Sequence, residues 1–157
     1  MYAQQIKETL VGLPLTRILR AVDMLCLVFE DGAEEYRVHL QCFWRMVKQS
    51  DPDILFGKED MYAPASHITD RSCFVWDNYG ENYLDELISL YKMQYLPLHA
   101  TDVQISECAD LTIDFSEDIV LQVFVNTTVA RREQWRFFKR SDLNSHIVAY
   151  PGRLVHE

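Results

Sequence analysis

Residues Leu111 to Phe115 place Leu111, Ile113 and Phe115 on one side and Thr112, Asp114 and Ser116 on the other. This period of two is that of a half-buried β-strand, and it commits the chain to a sheet with one wet face. A short turn leads to a second apolar run, Ile119 to Val125. A loop and the cluster Glu133-Gln134-Trp135-Arg136-Phe137-Phe138 follow.

The same order of patterns occurs nearer the N-terminus. Leu25, Leu27 and Phe29 align with Leu111, Ile113 and Phe115, and Tyr36, Val38, Leu40 and Cys42 align with Ile119, Leu121, Val123 and Val125. Trp44-Arg45 corresponds to Trp135-Arg136, Leu15 to Leu19 to Thr101 to Ile105, and Ile54-Leu55-Phe56-Gly57 to Ile147-Val148-Ala149-Tyr150. Identity is low, but the order of patterns predicts an internal duplication, with halves at roughly 13–57 and 98–152. Two unrelated antiparallel meanders are the alternative.

Between the halves, Asn82 is a natural helix N-cap. Leu84, Leu87, Ile88 and Tyr91 then fall at i, i+3, i+4 and i+7, the apolar stripe of a helix lying on a sheet. Asp85 and Glu86 suit its positive end, and Pro97 closes it, giving a helix over about 82–95. A shorter helix is expected from Tyr2 to Leu10, a hairpin at Asp31-Gly32, and a strand at Cys73-Phe74-Val75-Trp76. The predicted fold class is α+β: a single domain, 1–157, of two antiparallel β-meander repeats of about four strands each, with the helix packed on the sheet. The meanders either join as one sheet or stack face to face.

The chain has 157 residues and a formal net charge of −9, which argues against a nucleic-acid backbone as partner. Its apolar runs are too short to span a membrane. The N-terminus lacks a secretion signal, and the four cysteines form no Cys-x-x-Cys pair, so a cytoplasmic protein with small buried thiols is expected. No Lys or Arg occurs between Lys92 and Arg131, a span holding Asp102, Glu107, Asp110, Asp114, Glu117 and Asp118. Just beyond it, Arg131, Arg132, Arg136, Lys139 and Arg140 face a single acid, Glu133.

No constellation names a reaction. The five histidines show no metal-ligand spacing. His39 and Cys42, three apart on a strand, point to opposite faces. Phosphate loops, dinucleotide fingerprints and Gly-x-Ser-x-Gly are absent. No catalytic residue, metal or cofactor is therefore assigned. Trp44 and Trp135 read either as core plugs with a stacked or paired arginine, or as exposed hot spots, for which Trp and Arg are favoured types.

At Leu13-Pro14-Leu15-Thr16-Arg17, Gln41-Cys42-Phe43-Trp44-Arg45 and Glu133-Gln134-Trp135-Arg136-Phe137-Phe138 the chain resembles a group of small uncharacterised bacterial proteins sharing this Trp-Arg and Glu-Gln-Trp-Arg-Phe-Phe signature. Some small acidic proteins of that general kind are immunity proteins against antibacterial toxins, so the resemblance implies such a role. The expectation is a non-enzymatic binding protein that masks a basic protein surface, with Asp114, Glu117, Asp118, Trp135 and Arg136 as partner-binding residues. The alternatives are a structural homo-oligomer (a homodimer, for example) in which Arg131 to Arg140 meets the acidic span of another copy, and a small enzyme with a site between the repeats.

Overall fold

The computed structural model describes residues 1–157. It is an α+β molecule. Helix α1 (Tyr2–Leu10) precedes strands β1 (Pro14–Ala21), β2 (Met24–Glu30), β3 (Glu35–Leu40), β4 (Phe43–Lys48) and β5 (Asp53–Gly57). Two 3-10 helices, Lys58–Tyr62 and Arg71–Cys73, lead to helix α2 (Tyr83–Tyr95). Strands β6 (Leu98–Ile105), β7 (Leu111–Phe115), β8 (Ile119–Phe124), β9 (Trp135–Lys139), β10 (His146–Tyr150) and β11 (Arg153–His156) complete the chain.

All eleven strands form one antiparallel sheet in the order β11-β10-β9-β3-β2-β1-β6-β7-β8-β4-β5. Both expected arrangements of the meanders are present at once, because the sheet is continuous and also folded on itself. β1 and β6 share only two residue pairs, Pro14↔His99 and Leu15↔Leu98. Strands β2 and β7 lie three places apart, about 14 Å in a flat sheet. Yet Phe29 on β2 and Phe115 on β7 stack with ring centroids 6.2 Å apart. The two wings therefore face each other across the thin β1–β6 seam. Likewise β3 and β4 lie six places apart but are joined by Gln41 and Cys42 alone, a tether of at most about 11 Å between flanking Cα atoms.

The wings exchange hairpins. The third strand of the first meander, β3, pairs with β9, and the third strand of the second, β8, pairs with β4. Four strands per half is thus a correction: β4 and β9 are strands in their own right, each half supplies five, and β11 adds an eleventh. The strand order from β10 to β5 is unchanged when β1 to β5 are swapped with β6 to β10 and the row is read from the other end. The registers follow the same rule. Trp44 stands opposite Val123 and Trp135 opposite Leu40; Leu25 stands opposite Leu40 and Leu111 opposite Val123. The first strand of each meander is irregular at one place, between Leu15 and Arg17 and between Ala100 and Asp102. The threonine inside each irregularity donates its hydroxyl to a carbonyl across the ladder, Thr16 to Val28 (3.3 Å) and Thr101 to Asp114 (3.1 Å). These pairings place Thr101 opposite in role to Thr16, one residue from the sequence alignment, and Ile147 opposite in role to Phe56, two residues from it.

A cluster of 31 buried residues fills the space between the wings and draws on both halves. Strand alternation supplies it: Leu25, Leu27 and Phe29 point in, as do Leu111, Ile113 and Phe115. The helices close the open sides. α1 buries Ile6 and Leu10 against β6, and α2 packs on β1 and β5. Asn82 caps α2, its side chain accepting from the Asp85 N–H at 2.8 Å. Residues Phe74 to Trp76 form no strand; the segment is a 3-10 helix and irregular backbone. Trp76 packs against the core cluster and against Tyr62 of the first 3-10 helix, with ring centroids 5.3 Å apart, while Val75 is exposed. No helix is long and apolar enough to cross a membrane.

Candidate partner-binding surface

The five residues expected to bind a partner are not brought together. Asp114 lies on the outer face of β7, half-buried and directly opposite Asp102 of β6. Lys7 of α1 relieves this like-charge pair by bonding Asp102 at 2.6 Å, which holds that carboxyl down near pKa 2. Glu117 and Asp118 form the β7–β8 turn and are exposed. Trp135 and Arg136 are on the other wing, on β9.

Trp135 is wholly buried, so it is removed from any partner-facing surface. Its indole N–H donates to the Ala109 carbonyl at 2.7 Å. Trp44 is equally buried, and its indole nitrogen has no partner. Both tryptophans are core residues, because each begins a hairpin that crosses between the wings and its ring fills the crossing. Arg136 forms a two-pronged ion pair with Glu133, which raises its pKa, and its Nη1 lies 3.0 Å from His146 Nδ1. The other members of the basic run are also used internally: Lys139 pairs with Glu34 (2.8 Å) and Arg140 with Glu35 (3.3 Å). These contacts leave Arg131 and Arg132 as the part of that run with no ion pair, which weakens the reading of an intermolecular basic patch.

The outer face of the β9-β3-β2 wing is closed rather than open. Cys26, Val28, Phe138 and Val148 point away from the central cluster yet are buried. Their roof is made of long side chains: Arg17 pairs with Glu30 and Glu35, Arg37 with Glu35, and His39 packs edge-on against Phe138 at 4.9 Å. Burial, with Arg37 and Arg136 nearby, pushes His39 down to about 4. His39 stands opposite Cys26, but burial raises the Cys26 pKa as well. The pair is therefore a thiol and a neutral imidazole, without an activated nucleophile.

A polar hollow of about 310 Å³ lies where the crossing strands meet, lined by Asp23, Gln41, Cys42, Arg132, Glu133 and Gln134 among others. Glu133 and Gln134 are already occupied, while Asp23 and Arg132 form no ion pair. Glu133 holds Arg136 and accepts from Gln41 at 2.9 Å. The Gln134 side-chain amide donates to the Arg132 and Glu133 carbonyls, and its backbone carbonyl accepts the Gln41 and Cys42 N–H groups. Burial drives the Cys42 thiol to about 12. Cys73 and Cys108 depart from the expectation of buried thiols, since both are exposed.

Acidity is shared by two segments of similar net charge, the Lys/Arg-free span with six acids and no base being one of them. Between Asp51 and Glu86, nine acidic residues face two basic ones, Lys58 and Arg71. Of those nine, only Asp85 forms an ion pair, with Arg20. The segment wraps the side of the molecule built on β5 and α2. It approaches the β7–β8 turn through β4: the Gln49 N–H donates to the Asp118 carbonyl at 2.9 Å, and Lys48 stands between Ile119 of β8 and Asp53 of β5. The net charge of both segments is legible in the sequence.

Glu117 and Asp118 have φ of 63° and 57°, the two left-handed positions of a tight hairpin that favours Asn and Gly. Asp118 is tolerated at such a position, whereas Glu117 costs stability there, as Val22 (φ 56°) and Ala109 (φ 70°) do at other turns. No family model, no curated protein and no solved structure matches the chain.

Proposed function

We propose that this chain is a non-enzymatic binding protein of the bacterial cytoplasm that masks a basic protein surface, in the manner of an immunity protein against a basic nuclease toxin. The observation that carries this reading is the excess of unpaired acids in the segment from Asp51 to Glu86, with Glu117 and Asp118 on the neighbouring β7–β8 turn. Eight of the nine acids in that segment lack a basic partner in their own chain. A field of one sign steers an oppositely charged partner and accelerates encounter. Asp114, next to Asp102, contributes to the same field from the sheet face, while Trp135 and Arg136 serve the fold.

The test is a charge-reversed protein, Asp51→Lys, Asp53→Lys, Glu117→Lys and Asp118→Lys together, assayed against a basic toxin encoded beside the gene. Association is expected to slow at least tenfold at low salt, with a flatter dependence on ionic strength. An unchanged association rate overturns the reading.

The two halves, 13–57 and 98–152, are in this reading copies of one unit that exchanged their last hairpins. The order of the strands, the matched registers and the paired threonines support it. The acidic segment and α2 then lie in the connection between the copies, where surface chemistry can vary without disturbing the sheet.

A further inference from the structure

We infer that the surface hollow beside Tyr79, on the outer side of α2, is the docking point for a segment of the partner that combines apolar and basic side chains. This rests on the proposed acidic binding surface and assigns its anchor.

Three observations meet there. The first is shape. A hollow of about 580 Å³ is lined by His67, Tyr79, Glu86, Ser89, Leu90 and Met93, and a smaller one of about 150 Å³ adjoins it across Tyr79, reaching Leu19 and Lys92. Glu86, Leu90 and Met93 stand at i, i+4 and i+7 on the side of α2 away from the core, a row about 10 Å long at 1.5 Å per residue. Ser89 leaves the floor low.

The second is unpartnered apolar area. Met93 is 87% exposed, Tyr79 86%, Leu90 55% and Leu19 41%. Scattered single residues of this kind are ordinary, but these four border two adjoining hollows, and a rimmed apolar patch marks an interaction site.

The third is preorganisation. Arg20 and Asp85 form a two-pronged ion pair (Nε–Oδ1 2.8 Å, Nη2–Oδ2 2.7 Å) whose side chains are 2% and 4% exposed. The same carboxylate accepts the Gly80 N–H at 2.8 Å, and the Arg20 guanidinium also donates to the Val22 and Asn78 carbonyls. This buried pair clamps the turn that presents Tyr79. An exposed aromatic on a clamped turn loses little freedom on binding, which is the character of a hot spot.

Charge selects the occupant. Glu86 lies in the hollow, and Asp77 and Glu81 flank Tyr79 in the chain, against Lys92 on the far side. Apolar side chains entering on either side of Tyr79, with Lys or Arg projecting toward these carboxylates, fit both the shape and the sign.

The experiment titrates the full-length, ¹⁵N-labelled protein with a synthetic peptide of Leu and Lys at helical spacing, and with the same peptide carrying Glu for Lys. The expected result is saturable movement of the backbone amides of 79–80 and 86–93 with the Lys peptide only, weakened at least tenfold by Tyr79→Ala and by Leu90→Ser. Both substitutions lie on the surface and leave the fold intact, checked by the unperturbed strand amides. Movement confined to 51–53 and 117–118 overturns the docking point while the acidic-surface reading stands. No movement with either peptide counts against both. Equal response to the Glu peptide overturns the choice of a basic occupant, and a wild-type dimer that Tyr79→Ala dissociates reassigns the hollow to a second copy, overturning the inference.

Discussion

The indole N–H of Trp135 donates to the carbonyl of Ala109 at 2.7 Å, while Trp44, its counterpart at the other crossing, is buried with no partner for the same group. The two sites therefore respond differently to one substitution. Trp135→Phe loses ring volume and strands the Ala109 carbonyl, whereas Trp44→Phe loses ring volume and removes an unsatisfied donor. Trp135→Phe is expected to cost about 1–3 kcal/mol more than Trp44→Phe, measured as the difference in urea unfolding free energy.

The Arg20–Asp85 pair is nearly dry, and breaking it from one side leaves a buried charge. Asp85→Asn is expected to destabilise by about 3–5 kcal/mol. Replacing both members, Arg20→Met with Asp85→Leu, should recover much of that loss. Urea denaturation of the two variants decides whether the pair contributes net stability or orders the Tyr79 turn.

His39 carries a pH signature. Its folded pKa is pushed down to about 4 by burial and by Arg37 and Arg136. An unfolded histidine titrates near 6.5, so between those values the unfolded chain binds the extra proton. The contribution is fully present above about pH 6.5 and is lost as pH falls toward 4. His146, lowered by its burial and by Arg136, acts in the same direction. Stability should drop by about 1–2 kcal/mol between pH 7 and 5, and His39→Gln should flatten that slope. Carboxylates titrate mostly below this window, which separates their effect.

The β7–β8 turn offers a gain of stability with a loss of function. Glu117→Asn with Asp118→Gly suits the left-handed backbone and should stabilise by about 1 kcal/mol. The same protein loses two charges from the acidic surface. A raised unfolding midpoint with slower partner association is expected; unchanged stability would show that the turn is unstrained.

Much of the architecture is legible in particular residues. The alternation at Leu111, Ile113 and Phe115 marks β7, the i, i+3, i+4, i+7 stripe marks α2, and Asn82 caps it as its chemistry predicts. β4 and β9 escape notice because Phe43-Trp44-Arg45 and Trp135-Arg136-Phe137-Phe138 do not alternate cleanly. On β9, Phe138 faces outward and is still buried, under His39 and His146. That roof is assembled from strands distant in sequence, so no local pattern reports it. At the proposed surface, Glu117 and Asp118 were accessible to sequence reasoning. Tyr79, Leu90 and Met93 were not, because an exposed apolar residue has no signature until its neighbours are placed.

Local chemistry determines most of the segments that become strands and helices, since periodicity, capping and turn preference act within a few residues; β4, β9 and the irregular stretch Phe74 to Trp76 are the exceptions. The exchange of hairpins between wings is a different matter: β3 and β8 each had two possible partners of similar pattern. Only the tertiary structure chose: a two-residue link such as Gln41-Cys42 is long enough for a tight hairpin, and β4 crosses instead to β8, where the apolar faces of both wings are buried together. The same crossing sends Trp135 into the core and leaves the acids of the connecting segment on the outside.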